Sequence, residues 1–137
     1  MGVSLHLSFD GRCEEAFRFY EKALGGKIRT MLTYAASPMA AQFPEMGEKI
    51  LHASLVVGGD TTLAGADVSP EQYRKPQGFQ ALVDAADPAD AERMFAALAE
   101  GGNVEMPLQE TFWALRFGVV TDRFGVMWEV NCEQAPS

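Results

Sequence analysis

Residues 122–131 read D-R-F-G-V-M-W-E-V-N, Asp122 to Asn131. A polar turn ending in Gly125 is followed by strict alternation, with Val126, Trp128 and Val130 on one face of a strand and Met127, Glu129 and Asn131 on the other. Glu129 therefore stands mid-strand at a position where a core residue is the default. A carboxylate there has to be paired, solvated in a cavity or bound to a metal, because burying it alone and ionised is too costly.

Upstream, the same alternation opens the chain. Val3, Leu5, Leu7 and Phe9 are apolar while Ser4, His6 and Ser8 are polar, which predicts a strand covered on one side. Asp10-Gly11 is a turn, and 12–24 has helical spacing through Ala16, Phe17, Phe19, Tyr20, Ala23 and Leu24, ended by Gly25-Gly26. Strands are predicted at 27–34, 50–57 and 61–66, the last two as a hairpin around Gly58-Gly59-Asp60. Between the first two of these, 35–48 has two prolines and no period, and reads as a lid or partner-contacting loop.

The order then repeats. A strand at 79–85 leads to Asp87-Pro88, a helix cap followed by proline at the first helical position, and to a helix over 89–99 ended by Gly101-Gly102. Strands follow at 104–108, 114–121 and 126–132. The two double glycines, at 25–26 and 101–102, lie 76 positions apart, although few side chains match between the halves. The fold expected is α+β: two βαβββ units, 1–66 and 79–132, joined by a polar linker at 67–78 within one domain. One helix covers only one face of a four-stranded sheet. With both helices outside, the free faces would form a cupped mixed sheet in which His6 and Glu129 point inward.

Composition narrows the partners. The 137 residues are 47% hydrophobic and 22% charged, which suits a compact globular chain. Eleven basic against 19 acidic residues leave a net charge of −8, which repels nucleic acid and anionic membrane surfaces. No apolar run is long enough to span a bilayer, the N-terminus does not read as a signal peptide, and the two cysteines, Cys13 and Cys132, have no CxxC spacing. A cytoplasmic protein with reduced cysteines is expected.

The chain has only two histidines, His6 and His52, both on predicted strands. With Glu129 they would supply two nitrogens and one oxygen, a set that suits zinc, nickel, manganese or iron and leaves coordination positions open. The alternative is plain hydrogen bonding, with Glu129 accepting from Arg116 or Arg123. Arg116, Trp113 and Trp128 are candidate substrate-binding residues, since a guanidinium in the cup would hold an anion. The aromatic set they belong to, with Phe112, Phe117 and Phe124, also reads as core and cavity wall. Asp67 and Asp122 sit at turns and read as backbone caps.

These segments together resemble the vicinal oxygen chelate superfamily of glyoxalases, bleomycin-resistance proteins and extradiol dioxygenases, most of all its PhnB-like branch. The resemblance is carried by F-D-G-R-C-E-E-A-F-R-F-Y-E-K-A-L-G-G (9–26), I-L-H-A-S-L-V-V-G-G (50–59), D-P-A-D-A-E-R-M-F-A-A-L-A-E-G-G (87–102), M-P-L-Q-E-T-F-W (106–113) and the terminal D-R-F-G-V-M-W-E-V-N. It implies that Glu129, four residues after Gly125, is a metal ligand that can also carry a proton, and that His6 matches a ligand on the first strand. The second half's opening strand has no histidine, so His52 would have to substitute. The implied function is metal-dependent lyase-, isomerase- or transferase-type chemistry on a small oxygenated substrate, in a homodimer. The alternative is a metal-free protein that sequesters a small molecule. A methyltransferase role is not expected, because the chain has no glycine-rich nucleotide-binding turn.

Overall fold

A computed structural model describes residues 2–58 and 61–134. The chain divides into two compact units, Met1–Arg74 and Lys75–Ser137. The first contains β1 (Leu5–Phe9), α1 (Cys13–Leu24), β2 (Lys27–Thr33), a 3-10 turn at Pro44–Met46, β3 (Ile50–Val57) and β4 (Thr61–Asp67). The second contains β5 (Ala81–Asp84), α2 (Pro88–Ala99), β6 (Asn103–Gln109), β7 (Ala114–Thr121) and β8 (Met127–Glu133). The tip of the expected β3–β4 hairpin, Gly59-Asp60, lies outside the described residues; the strands flanking it pair antiparallel.

Both units have the same mixed sheet, ordered β1-β4-β3-β2 in the first and β5-β8-β7-β6 in the second. In each, the opening strand runs parallel to the closing one and the other pairs are antiparallel. This is the α+β arrangement of two βαβββ units expected from the sequence. The opening strand is shorter than its alternation suggested: Val3 precedes β1 and is almost fully exposed.

Each helix packs on one side of its own sheet through a phenylalanine seated over a strand glycine. A Cβ on Gly65 would stand 2.6 Å from the Phe17 ring, and one on Gly118 would stand 2.7 Å from the Phe95 ring. Any side chain at either position would force the helix off the sheet. The double glycines divide their work in the same way in both units. Gly25 and Gly101 have φ of 72° and 73°, the left-handed geometry that reverses the chain after a helix. The second glycine of each pair then lies against strand backbone, with a Cβ on Gly26 falling 2.6 Å from the Val56 carbonyl and one on Gly102 colliding with that of Thr121.

Two buried aspartates act as the caps expected. Asp67 Oδ1 accepts from Gly11 N and Cys13 N at 2.9 and 3.0 Å, and Oδ2 accepts from Ile50 N at 2.9 Å. Asp122 Oδ1 accepts from Phe124 N and Val126 N, and Oδ2 accepts from the Trp128 indole at 2.9 Å. Residues 35–48 are tied to the first unit by the Ser37 hydroxyl donating to the Tyr34 carbonyl, by Tyr34–Phe43 ring contact and by the buried Met46. Cys13 and Cys132 are buried and unbridged, and burial pushes the Cys13 thiol well up. Among the described residues no helix is long and apolar enough to cross a membrane.

Candidate ligand-binding faces

Register decides which side chains stand on the side of each sheet away from its helix. In the first unit Gly65 faces α1 and pairs with Leu7 and Ala53. Their strand neighbours His6, Ser8, His52 and Ser54 therefore stand on the helix-free face. His6 pairs with Ala64, Ala64 with Ser54, and His52 with Leu32. Both imidazoles are exposed, but β4 lies between their strands, which sets them about 10 Å apart laterally.

In the second unit Gly118 faces α2 and pairs with Val130, so Trp128, Val130 and Cys132 are on the helix side. Glu129 and Asn131 stand on the helix-free side, as the alternation of 126–131 predicted. Leu82 and Val119 flank Glu129 in register, and Asp84 and Phe117 flank Asn131. Glu129 is half-buried, and its carboxylate has no hydrogen bond or ion pair among the described residues. Arg116 donates instead to Glu92 on α2 at 3.3 Å and to the Leu115 carbonyl at 2.7 Å. Arg123 donates to the Glu100 carbonyl at 3.1 Å.

The three candidate substrate contacts are thus dispersed. Arg116 pairs with Cys132 in register and belongs to the helix-bearing side. Trp128 is 1% exposed and is core, its indole committed to Asp122. Trp113 is 49% exposed and packs edge-on against Phe117 at 5.4 Å, bordering the face that carries Glu129. Asp84 is a polar residue of this face that the sequence reading passed over. The alternation of Ala81 and Val83 with Leu82 and Asp84 is the signal that places it. A hollow of about 560 Å³ beside α1 is lined by Gly11, Glu14, Arg18, Lys49 and Asp67. Glu15 and Glu48 also line it; Glu14 is paired with Arg18, Glu15 with Arg12, and Asp67 accepts from backbone.

The expected metal ligands are divided, His6 and His52 on the first unit and Glu129 on the second. Within its own unit neither set groups three such donors: β4 separates the two imidazoles, and Glu129 is flanked in register by two apolar side chains, with Asp84 diagonally across as the other carboxylate of that face. Among the described residues no three His, Cys, Asp or Glu side chains are grouped to hold a metal ion. The donor set of neither unit fits a metal centre.

Comparison with known proteins agrees with this architecture. The family model of the glyoxalase/bleomycin resistance protein/dioxygenase superfamily matches residues 5–130. The chain is 34% identical to protein YjdN of Escherichia coli K12, over 96% of this chain and 95% of that one. It is also similar to the crystal structure of protein PA1353 from Pseudomonas aeruginosa, with 46% identity, 98% and 99% coverage and a TM-score of 0.88. A Bacillus cereus PhnB protein, described as a putative 3-demethylubiquinone-9 3-methyltransferase, shares the fold at 22% identity, 96% and 99% coverage and a TM-score of 0.80. With a family match spanning nearly the whole chain and two βαβββ units of identical strand order, this protein belongs to the glyoxalase/bleomycin resistance protein/dioxygenase superfamily.

Proposed function

We propose that this protein binds a small molecule on the helix-free face of its second sheet, around Glu129. The observation that carries the reading is the carboxylate itself, half-buried, flanked by Leu82 and Val119 and without a protein partner among the described residues. A carboxylate partly removed from water gains from any ligand that supplies a donor, and an apolar wall with few polar groups is how small-molecule sites are made. A ligand-observed NMR screen of small metabolites should give binders whose contacts map to Leu82, Val119 and Glu129. Glu129→Gln should weaken them by about tenfold, the worth of a charge-assisted hydrogen bond. Binders that map to the first unit, or that bind Glu129→Gln equally well, would refute the reading.

A second reading, metal-dependent catalysis on an oxygenated substrate, is favoured by the match of residues 5–130 to a superfamily that includes dioxygenases. Protein purified without chelator would then hold stoichiometric zinc, nickel, manganese or iron, lost in Glu129→Gln.

The assembly proposed is a homodimer in the cytoplasm. Edge strand β6 is paired on one side only and exposes Val104 and Met106, which a second copy would cover. Light scattering after size exclusion should give twice the chain mass of 14.9 kDa, and a monomer at all concentrations would overturn it. The unbridged cysteines support a reducing compartment.

A further inference from the structure

We infer that the ligand of this face carries an organic ammonium group; the inference rests on the reading of the Glu129 face as a small-molecule site. Three oxygen acceptors converge there. Asn131 is 9% exposed, and its Nδ2 donates to Asp84 Oδ1 at 3.0 Å, which commits the amide's donor end. Its Oδ1 is fully buried and has no hydrogen-bond partner among the described residues. A buried carbonyl oxygen left in that state asks for a donor from outside the chain. Glu129 is two residues along the same strand, about 7 Å away, and Asp84 lies diagonally across from Glu129 at ~7–8 Å. The three Cα positions thus form a triangle with sides of about 5–8 Å, which puts the acceptors on one small patch of the face.

The charge of that donor follows from what the face lacks. Arg93, Arg116 and Arg123 bond to Asp90, Glu92 and the Glu100 carbonyl, each on or at the end of α2. Two carboxylates and an amide oxygen therefore stand on this face with no ion pair to a guanidinium among the described residues, which selects a cation bearing several N–H groups. The organic character follows from the same row. Phe117 pairs with Asn131 in register and is backed by Trp113, so an aromatic surface adjoins the acceptors, while Leu82 and Val119 flank Glu129. Alkylammonium groups gain from aromatic faces and from apolar walls around their carbon chain, whereas a hydrated divalent cation gains little from either.

Benzylammonium chloride, benzyl alcohol, sodium benzoate and magnesium chloride, titrated into the ¹⁵N-labelled full chain, separate the cases. Benzylammonium should cause saturable shifts in the Glu129 and Asn131 backbone amides and in the Asn131 side-chain NH₂ signals. Benzyl alcohol should bind at least tenfold more weakly, and Glu129→Gln and Asp84→Asn should each weaken benzylammonium by about tenfold while leaving the rest of the spectrum in place. Equal binding of benzyl alcohol or benzoate at these residues would overturn the ammonium preference and leave the site standing. Magnesium giving the same shifts and displacing benzylammonium would overturn it in favour of a hard-cation site. Signals at 84, 129 and 131 that no probe moves would overturn both the preference and the site.

Discussion

Asp67→Ala is expected to cost about 3–9 kcal/mol, a large share of the roughly 5–15 kcal/mol that folded domains hold in all. The Asp67 side chain is 1% exposed and its carboxylate is the acceptor for three backbone N–H groups, of Gly11, Cys13 and Ile50. Those groups belong to the turn that enters α1, the first residue of α1 and the first residue of β3. An alanine leaves all three without their acceptor, two of them in buried residues, Cys13 and Ile50, and each orphan costs about 1–3 kcal/mol. Asp67→Asn should fall between, because an amide has one oxygen to offer where the carboxylate has two. The measurement is urea unfolding followed by circular dichroism. A shift of less than about 1 kcal/mol for the alanine variant would show that water or a backbone shift replaces the carboxylate.

Trp128→Ala should destabilise the second unit by about 3–5 kcal/mol, the range for deleting a large aromatic from a packed core. The indole is 1% exposed and donates to Asp122, which also holds the turn through Phe124 N and Val126 N. The substitution therefore opens a cavity and takes the indole donor away from the residue that shapes the turn. Trp128→Phe isolates the second effect: most of the volume stays and only the N–H is lost, for about 1.5–3 kcal/mol, since the acceptor is charged. Chemical denaturation of both variants checks the pair. Equal losses would mean that packing contributes nothing beyond the hydrogen bond.

Local pattern carried a large part of the fold. Asp87 followed by Pro88 marked the start of α2, and the Asp87 side chain does accept from Asp90 N at 2.8 Å. Alternation placed Glu129 and Asn131 on one face and Trp128 on the other, because side-chain direction in a strand depends on parity alone. What parity cannot give is which face meets the helix. That is fixed by Gly118 against Phe95, a contact between residues far apart in sequence, and it sends Arg116 to the α2 side and Trp128 into the core. The three donors to Asp67 stand 56, 54 and 17 residues from it, so a position that looked like the start of a linker is a buried anchor. Asp84 was overlooked for a related reason. Its meaning comes from Asn131, its cross-strand partner, and parallel pairing leaves no local trace in sequence.

The paired glycines after each helix bear on how two such dissimilar halves can share one topology. At Gly26 and Gly102 the obstacle to a side chain is the main chain of a neighbouring strand, which every amino acid has in common. Substitutions elsewhere can be absorbed by changing the partner residue, but no change of partner makes room there. The halves can therefore differ wherever partner side chains can change together, and cannot where backbone touches backbone. The surfaces that meet ligands are left free to specialise separately.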